Sequence, residues 1–229
     1  LLSFGLATEP DVVAAARRLQ GRVYLAKGYV DTLRDGVVDD PYADWSRYYV
    51  ATQPDGTVVG VCREILGTYG ELPTLTRFPL DPEFHRWAEH LDPADVVEVS
   101  ALAVDKTGVV SSREVSAGLY RAVWQYAVTT GHHRYWVANM SEHLLRTLNG
   151  AFGLGFEPIG PPAPYLGPPT LPCRLELATL PARVVRAHPA IAQWFCEGLP
   201  RPLVIDLTVP AQPAPSEPLD AQYRSLAVP

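Results

Sequence analysis

Apolar and polar positions divide the chain into a series of short elements. After Pro10, the apolar residues Val12, Val13, Ala16, Leu19 and Val23 recur with a helical period, which predicts an amphipathic helix that weakens toward Val30. Residues 31–46 are polar, with acids at Asp31, Asp35, Asp39, Asp40 and Asp44. Residues 47–52 and 57–66 read as strands joined by a hairpin turn at Pro54-Asp55-Gly56. A loop over 72–78 leads to a helix near 81–91. Residues 96–105 are rich in Val, hold almost no turn former and alternate only partly, which is the pattern of a strand buried on both faces. Ser111 and Glu114 have capping-box spacing. A helix starting there places Val115, Leu119, Ala122, Val123, Tyr126 and Ala127 on one broad face and stops at Gly131. Residues 134–139 are the next strand, and Ser141 caps a helix over 142–148. Gly153 and Gly155 turn into a strand at 156–159, followed by Pro-rich turns as far as Tyr165. Residues 173–177 are the last strand, and 181–197 are helical with a break at Pro189. From Leu199 on the chain is extended and rich in proline.

This order predicts an α/β or α+β fold. A mixed, mostly antiparallel sheet is flanked by helices, with one right-handed strand–helix–strand crossover. No Gly-rich turn follows a first strand, so a doubly wound nucleotide fold is excluded. Residues 1–180 read as one domain, and 181–229 as a C-terminal helix with an extended tail.

Composition narrows the function. With 47% hydrophobic and 19% charged residues the chain is globular, and its net charge of −6 argues against bulk nucleic-acid binding. No apolar run approaches the roughly 20 residues of a membrane span. Cys62, Cys173 and Cys196 are far apart and follow no metal spacing, which suggests buried thiols of a cytoplasmic protein and no metal centre. His132-His133 is a poor ligand pair, and no Ser-His-Asp arrangement is present. Two features carry chemistry. Glu98 sits inside the buried strand, where a carboxylate is costly unless it is paired or functional. The helix that follows a short loop offers free N–H groups and a positive dipole end to an anion.

The order of elements, the loop and helix after the central strand, and the turn GLGFEPIG resemble the GCN5-related N-acyltransferase (GNAT) fold. The closer resemblance is to the branch holding the acyl-homoserine-lactone synthases and the long-chain N-acyl amino acid synthases. GRVYLAKGYV is similar to that branch's N-terminal segment, and YYVATQPDGTVVGVCREI to its hairpin ending in Arg. LPTLTRFPL resembles its donor-side loop, and VVEVSALAV its Glu-x-Ser-Arg-x-x-Val strand. The resemblance covers residues 12–177. It departs at Ala101, where the homoserine-lactone synthases carry Arg, which favours an N-acyl amino acid synthase.

The resemblance implies an enzyme moving a fatty acyl group from an acyl carrier protein or coenzyme A thioester to the amine of a small molecule such as an amino acid. The thioester, through its 4'-phosphopantetheine arm, is a co-substrate, and no cofactor is tightly bound. A homoserine-lactone synthase and a catalytically silent acyl-pantetheine or partner-binding protein are the alternatives, and a homodimer is allowed. Glu98 is the implied base; the other reading is a buried ion pair with Arg63 or Arg22. Arg63 either binds the acceptor's carboxylate or orients Glu98, unless it is an exposed charge at a strand end. Arg22, Tyr24 and Tyr29 stand where the family lines its acceptor pocket; a solvated Arg beside a core Tyr is the plain alternative. For the donor, Arg113-x-x-Ser116-x-Gly118 stands where acetyltransferases place Gln/Arg-x-x-Gly-x-Gly/Ala. Ser112 opens that helix, and Leu102, Val104 and Asn139 are the implied pantetheine contacts on the two strands. Lys106, Arg113, Arg121 and Arg134 would offer a basic face to a carrier protein, although Arg121 and Arg134 read rather as solvated charges. Trp124, Trp136, Phe152 and Phe156 read as core.

Overall fold

The computed structural model describes residues 1–106, 110–130 and 133–201, with positions 203, 205 and 207. The expected helix stop at Gly131, His132, the centre of the loop after Lys106 and most of the Pro-rich tail lie outside the described residues. The strands are β1 (Ser3–Leu6), β2 (Ser46–Thr52), β3 (Val58–Leu66), β4 (Val96–Val104), β5 (Tyr135–Met140), β6 (Glu157–Pro158), β7 (Ala163–Pro164) and β8 (Pro169–Glu176). The helices are α1 (Pro10–Ala26), α2 (Pro73–Thr76), α3 (Pro82–Glu89), α4 (Ser112–Thr130), α5 (Glu142–Phe152), α6 (Leu180–Ala187) and α7 (Pro189–Cys196). Among the described residues no helix is long and apolar enough to cross a membrane.

The strands form one sheet in the order β1-β2-β3-β4-β5-β8-β6, and β7 pairs with β8. Only β4 and β5 run parallel among the described pairs; the rest are antiparallel. The mixed, mostly antiparallel sheet expected of the resemblance is therefore present, with α4 as the crossover. Local chemistry sets the connections. The β2–β3 turn closes through Gly56 N–H to the Gln53 carbonyl at 2.9 Å, with Gly56 at a left-handed φ of 86°. Ser141 caps α5 by accepting from Leu144 N–H at 3.2 Å. Pro189 ends α6 and opens α7.

Three elements differ from the sequence pattern. β1 is four residues with a central Gly, too short to show alternation, yet it pairs fully with β2. α2 is a single turn inside the expected loop, started by Pro73. β8 begins at Pro169, four residues before the predicted start, because proline is tolerated at the first position of a strand.

One face of the sheet packs under α1, where Leu19 and Ala16 meet Tyr48, Val50, Val61 and Ala103. Further along the same face Tyr42, Ile65, Leu72, Val96 and Val137 form a second cluster. The largest core lies on the other face and takes Leu119 and Trp124 from α4, Leu145 from α5, and Leu180, Val184 and Phe195 from α6 and α7.

Two irregularities position the site. β4 and β5 pair only over Val96–Glu98 and Tyr135–Val137. Beyond that point β4 keeps its bonds to β3 and β5 keeps its bonds to β8, so the two strands part. β4 also carries one extra residue against β3: Val61 faces Ala103, but Arg63 faces Ser100. Within this bulge Ala101 takes a φ of 51°, rare for a residue with a side chain.

Candidate active site

Glu98 is the last residue of β4 to pair with β5, so its carboxylate lies where the strands separate. It is 1% exposed. Oε2 accepts from Thr74 N–H at 2.8 Å, and Oε1 accepts from Asn139 Nδ2 at 3.1 Å. Thr74 can donate because it lies in the first turn of α2, where N–H groups have no helical partner. Asn139 Nδ2 also lies 3.4 Å from Thr74 Oγ1. Burial pushes the Glu98 carboxyl up to about 7, opposed by the Thr74 hydrogen bonds and by the more distant Arg63 and Arg77.

Arg63, 6% exposed, shares this face of the sheet two positions along β3. Its Nε donates to Ser100 Oγ at 3.0 Å, and its Nη1 pairs with Asp40 Oδ2. The guanidinium also stands 5.9 Å from the centre of the Tyr42 ring. Arg63 is thus a buried, oriented charge rather than an exposed strand end, and its contact partner is Asp40 rather than Glu98. Tyr24 lies close enough to feel both Arg63 and Asp40, and burial raises its hydroxyl to about 12. Tyr29 packs edge-on against Tyr24 at 5.5 Å, and the backbone at Gly167 closes over its ring. Arg22 goes elsewhere: it is exposed and pairs at 3.9 Å with Asp105, beyond the end of β4.

Of the residues expected to meet the donor, Leu102 and Asn139 line, with Ser100 and Ala101, a cavity of about 700 Å³, its open mouth included. The cavity enters through the gap between β4 and β5 and continues into the helical layer, along Tyr120 and Trp124 of α4 and Leu148 of α5. Trp124, Trp136 and Phe156 are therefore cavity wall as well as core. Val104 is half-buried at the end of β4 and faces Gly60 on β3. In α4 the first intrahelical bond runs from Val115 N–H to the Ser111 carbonyl at 3.1 Å. The N–H groups of Ser112, Arg113 and Glu114 precede it and are available to an anion. Ser116 and Gly118 lie inside the helix, where their N–H groups belong to its own ladder. Gly118 serves packing instead: a Cβ there would meet the Phe4 ring at 2.2 Å. Arg113 is exposed. Arg121 lies over the Trp194 ring at 5.1 Å and pairs with Glu197, while Arg134 pairs with Asp95 at 3.5 Å.

The structure therefore gathers Glu98, Arg63, Tyr24, Tyr29 and Asn139 around one locus and sets Leu102 on the cavity beside it. It leaves Arg22 apart. Sequence reasoning missed Thr74, Asp40 and Ser100. The available signals were Pro73, which marks a helix start and hence free N–H groups, the acid-rich character of 31–46, which singled out no one aspartate, and the Ser of the Glu-x-Ser strand, which is Ser100.

A family model described as "N-acyl amino acid synthase FeeM" matches residues 15–176. Among solved structures the chain is similar to FeeM, an N-acyl amino acid synthase from uncultured soil microbes. They share 21% identity, with a TM-score of 0.61 over 82% of this chain and 97% of that one. It is also similar to the acyl-homoserine-lactone synthase LasI, at 18% identity and a TM-score of 0.60 over 82% of this chain and 93% of that one. BjaI, a coenzyme A-dependent acyl-homoserine-lactone synthase solved with S-adenosylmethionine and isopentyl-CoA, shares 19% identity. Its TM-score is 0.63 over 90% of this chain and 93% of that one. At these identities the likeness is one of fold. No match was found among curated proteins.

Proposed function

The chain belongs to the N-acyl amino acid synthase FeeM family, and we propose that it moves a fatty acyl group from a pantetheine thioester to the amine of an amino acid. The observation that carries this reading is a buried carboxylate, raised to about 7, tied through Asn139 to the wall of an apolar cavity.

In this reading the acceptor enters beside Arg63 and the tyrosines, and its ammonium gives a proton to Glu98. The free amine attacks the thioester carbonyl at the β4–β5 gap. A C–N bond forms, the C–S bond breaks and the thiol departs with a proton. A carboxyl that titrates near neutrality both accepts and returns a proton readily. Arg63, held by Asp40 and Ser100, draws in the acceptor's carboxylate. The acyl chain fills the apolar cavity, and the donor's phosphate meets the N–H groups of Ser112, Arg113 and Glu114. No basic cysteine environment suggests a covalent intermediate: Cys62 and Cys173 are buried and their thiols are pushed up by desolvation. The donor is a carrier-protein or coenzyme A thioester, and the substrate pools are those of the cytoplasm. A homoserine-lactone synthase is less favoured because Ala101, whose strained backbone lines the cavity, carries no guanidinium.

The test is mass spectrometry of lipids from a host expressing the protein. An N-acyl amino acid absent from the control is expected. Acyl lactones, or no new acyl amide, would overturn the reading.

A further inference from the structure

The cavity is polar where the strands part, and an aromatic ring from α7 lines it on the helical side. Ser100 and Asn139 stand at the strand gap beside Glu98. From there the walls are Tyr120 and Trp124 on α4 and Leu148 on α5, and Phe195 of α7 lines the helical side with them. Phe195 is fully buried and packs against Trp124 at 5.1 Å and Phe152 at 6.1 Å between ring centres.

The backbone that carries the ring is fastened from behind. Gln125 Nε2, on α4, donates to the carbonyls of Phe195 and Glu197, each at 2.8 Å. These carbonyls belong to the last turn of α7 and the residue after it, where helical acceptors lack partners. Arg121 lies over the neighbouring Trp194 ring. At the other end of α7, His188 Nε2 lies 2.6 Å from the Gly150 carbonyl of α5. The helix that carries the ring is thus tied to both helices that wall the cavity. The family match ends at residue 176, so this closing element lies outside the matched segment.

We infer that Phe195 is the floor of the acyl cavity and sets the length of acyl chain that the enzyme takes. The inference rests on the acyl-transfer reading for the identity of the occupant. A chain that stops short of the ring leaves apolar wall unfilled, and one that is too long must displace a fastened aromatic ring. A single methylene in a fitted apolar pocket changes discrimination by roughly tenfold or more.

The probes are S-alkyl pantetheine thioethers of increasing chain length, which bind without reacting, titrated calorimetrically against the full chain. Phe195→Leu should move the tightest-binding length upward and Phe195→Trp should move it downward, with relative affinities around the wild-type optimum changing by roughly tenfold. Gln125→Ala, which touches no part of the cavity, should flatten the length preference and keeps the test open if the ring variants do not fold. An optimum that stays in place in the folded ring variants overturns the inference. So does an unflattened preference in Gln125→Ala, or failure of every probe to bind wild type. Binding that shifts with length in a protein that forms no acyl amide would overturn the acyl-transfer reading alone. Acyl amide formation with an unmoved optimum would overturn only the length gate.

Discussion

Two carboxylates are buried in adjacent strands on opposite faces of the sheet, and their surroundings differ. Glu64 accepts from the Tyr49 hydroxyl at 2.7 Å and pairs with Arg47 at 3.2 Å, so a cation in direct contact answers its charge. Arg47 in turn donates to the Tyr126 hydroxyl at 2.9 Å, which ties the pair to α4. Among the described residues Glu98 is answered in contact by neutral groups of Thr74 and Asn139, with arginines further off. A structural carboxylate is expected to look like the first and a working base like the second. The sequence singled out Glu98 because it interrupts a Val-rich run, and passed over Glu64 because it sits beside Arg63 near a strand end. That adjacent residues of a strand point to opposite faces explains how Arg63 and Glu64 serve different sites. The pH dependence of stability follows. The Glu98 carboxyl moves from 4.5 to about 7 on folding, so the unfolded chain gives up its proton first as pH rises. Stability from this group is complete below about 4.5 and declines through about 7, by about 3 kcal/mol in all. Glu98→Gln, with the Asn139 amide turned over to meet the new NH₂, should therefore exceed wild type by about that amount at pH 8 and match it near pH 4. Denaturant titrations at the two pH values check this; equal pH dependence in both proteins would contradict it.

At the scale of elements, turn and cap chemistry made most of the pattern readable. The Pro-Asp-Gly turn, the Ser141 cap, the Pro189 break and the start of α4 at Ser111–Ser112 all appear where local rules place them. What was not readable depends on partners distant in sequence. β1 is held by β2 and by α4, and α2 is held against the sheet beside Glu98; neither has a pattern of its own. Gly118 shows the same limit. Its spacing fits a phosphate loop, but its bare Cα lets the Phe4 ring of β1 lie against α4. Gly118→Ala gains about 1 kcal/mol of helix propensity, but a Cβ at 2.2 Å from the ring forces an overpacking that costs about 1–3 kcal/mol. The single variant should lose stability, and the same change made in a Phe4→Ala background should be neutral or stabilising. A loss of equal size in both backgrounds, measured by chemical denaturation, would show that the glycine serves something other than this contact.

For the whole molecule, the fold couples two faces of one sheet through a gap in it. The groups around Glu98 and Arg63 lie on the α1 and α2 face, and the apolar cavity lies among the helices of the other. The parting of β4 from β5 joins them, with Asn139 at the joint. The order of elements was legible in the chain, and so was the family. The cavity was not, because Trp124, Trp136 and Phe156 satisfy the same apolar pattern whether they fill a core or wall a pocket. The central claim is that this arrangement joins an acyl group to an amino acid with Glu98 taking the proton. The most direct measurement follows thiol release and acyl-amide formation by purified wild type and Glu98→Gln with long-chain acyl thioesters and a pool of amino acids. Wild type should form the amide with a rate that rises through about pH 7. Glu98→Gln should fold, bind donor and lose about 10²–10⁴-fold at neutral pH, recovering in part at high pH where the free amine is abundant. Amide formation at near-wild-type rate by Glu98→Gln at neutral pH, or thiol release by wild type without any amide, would contradict the account.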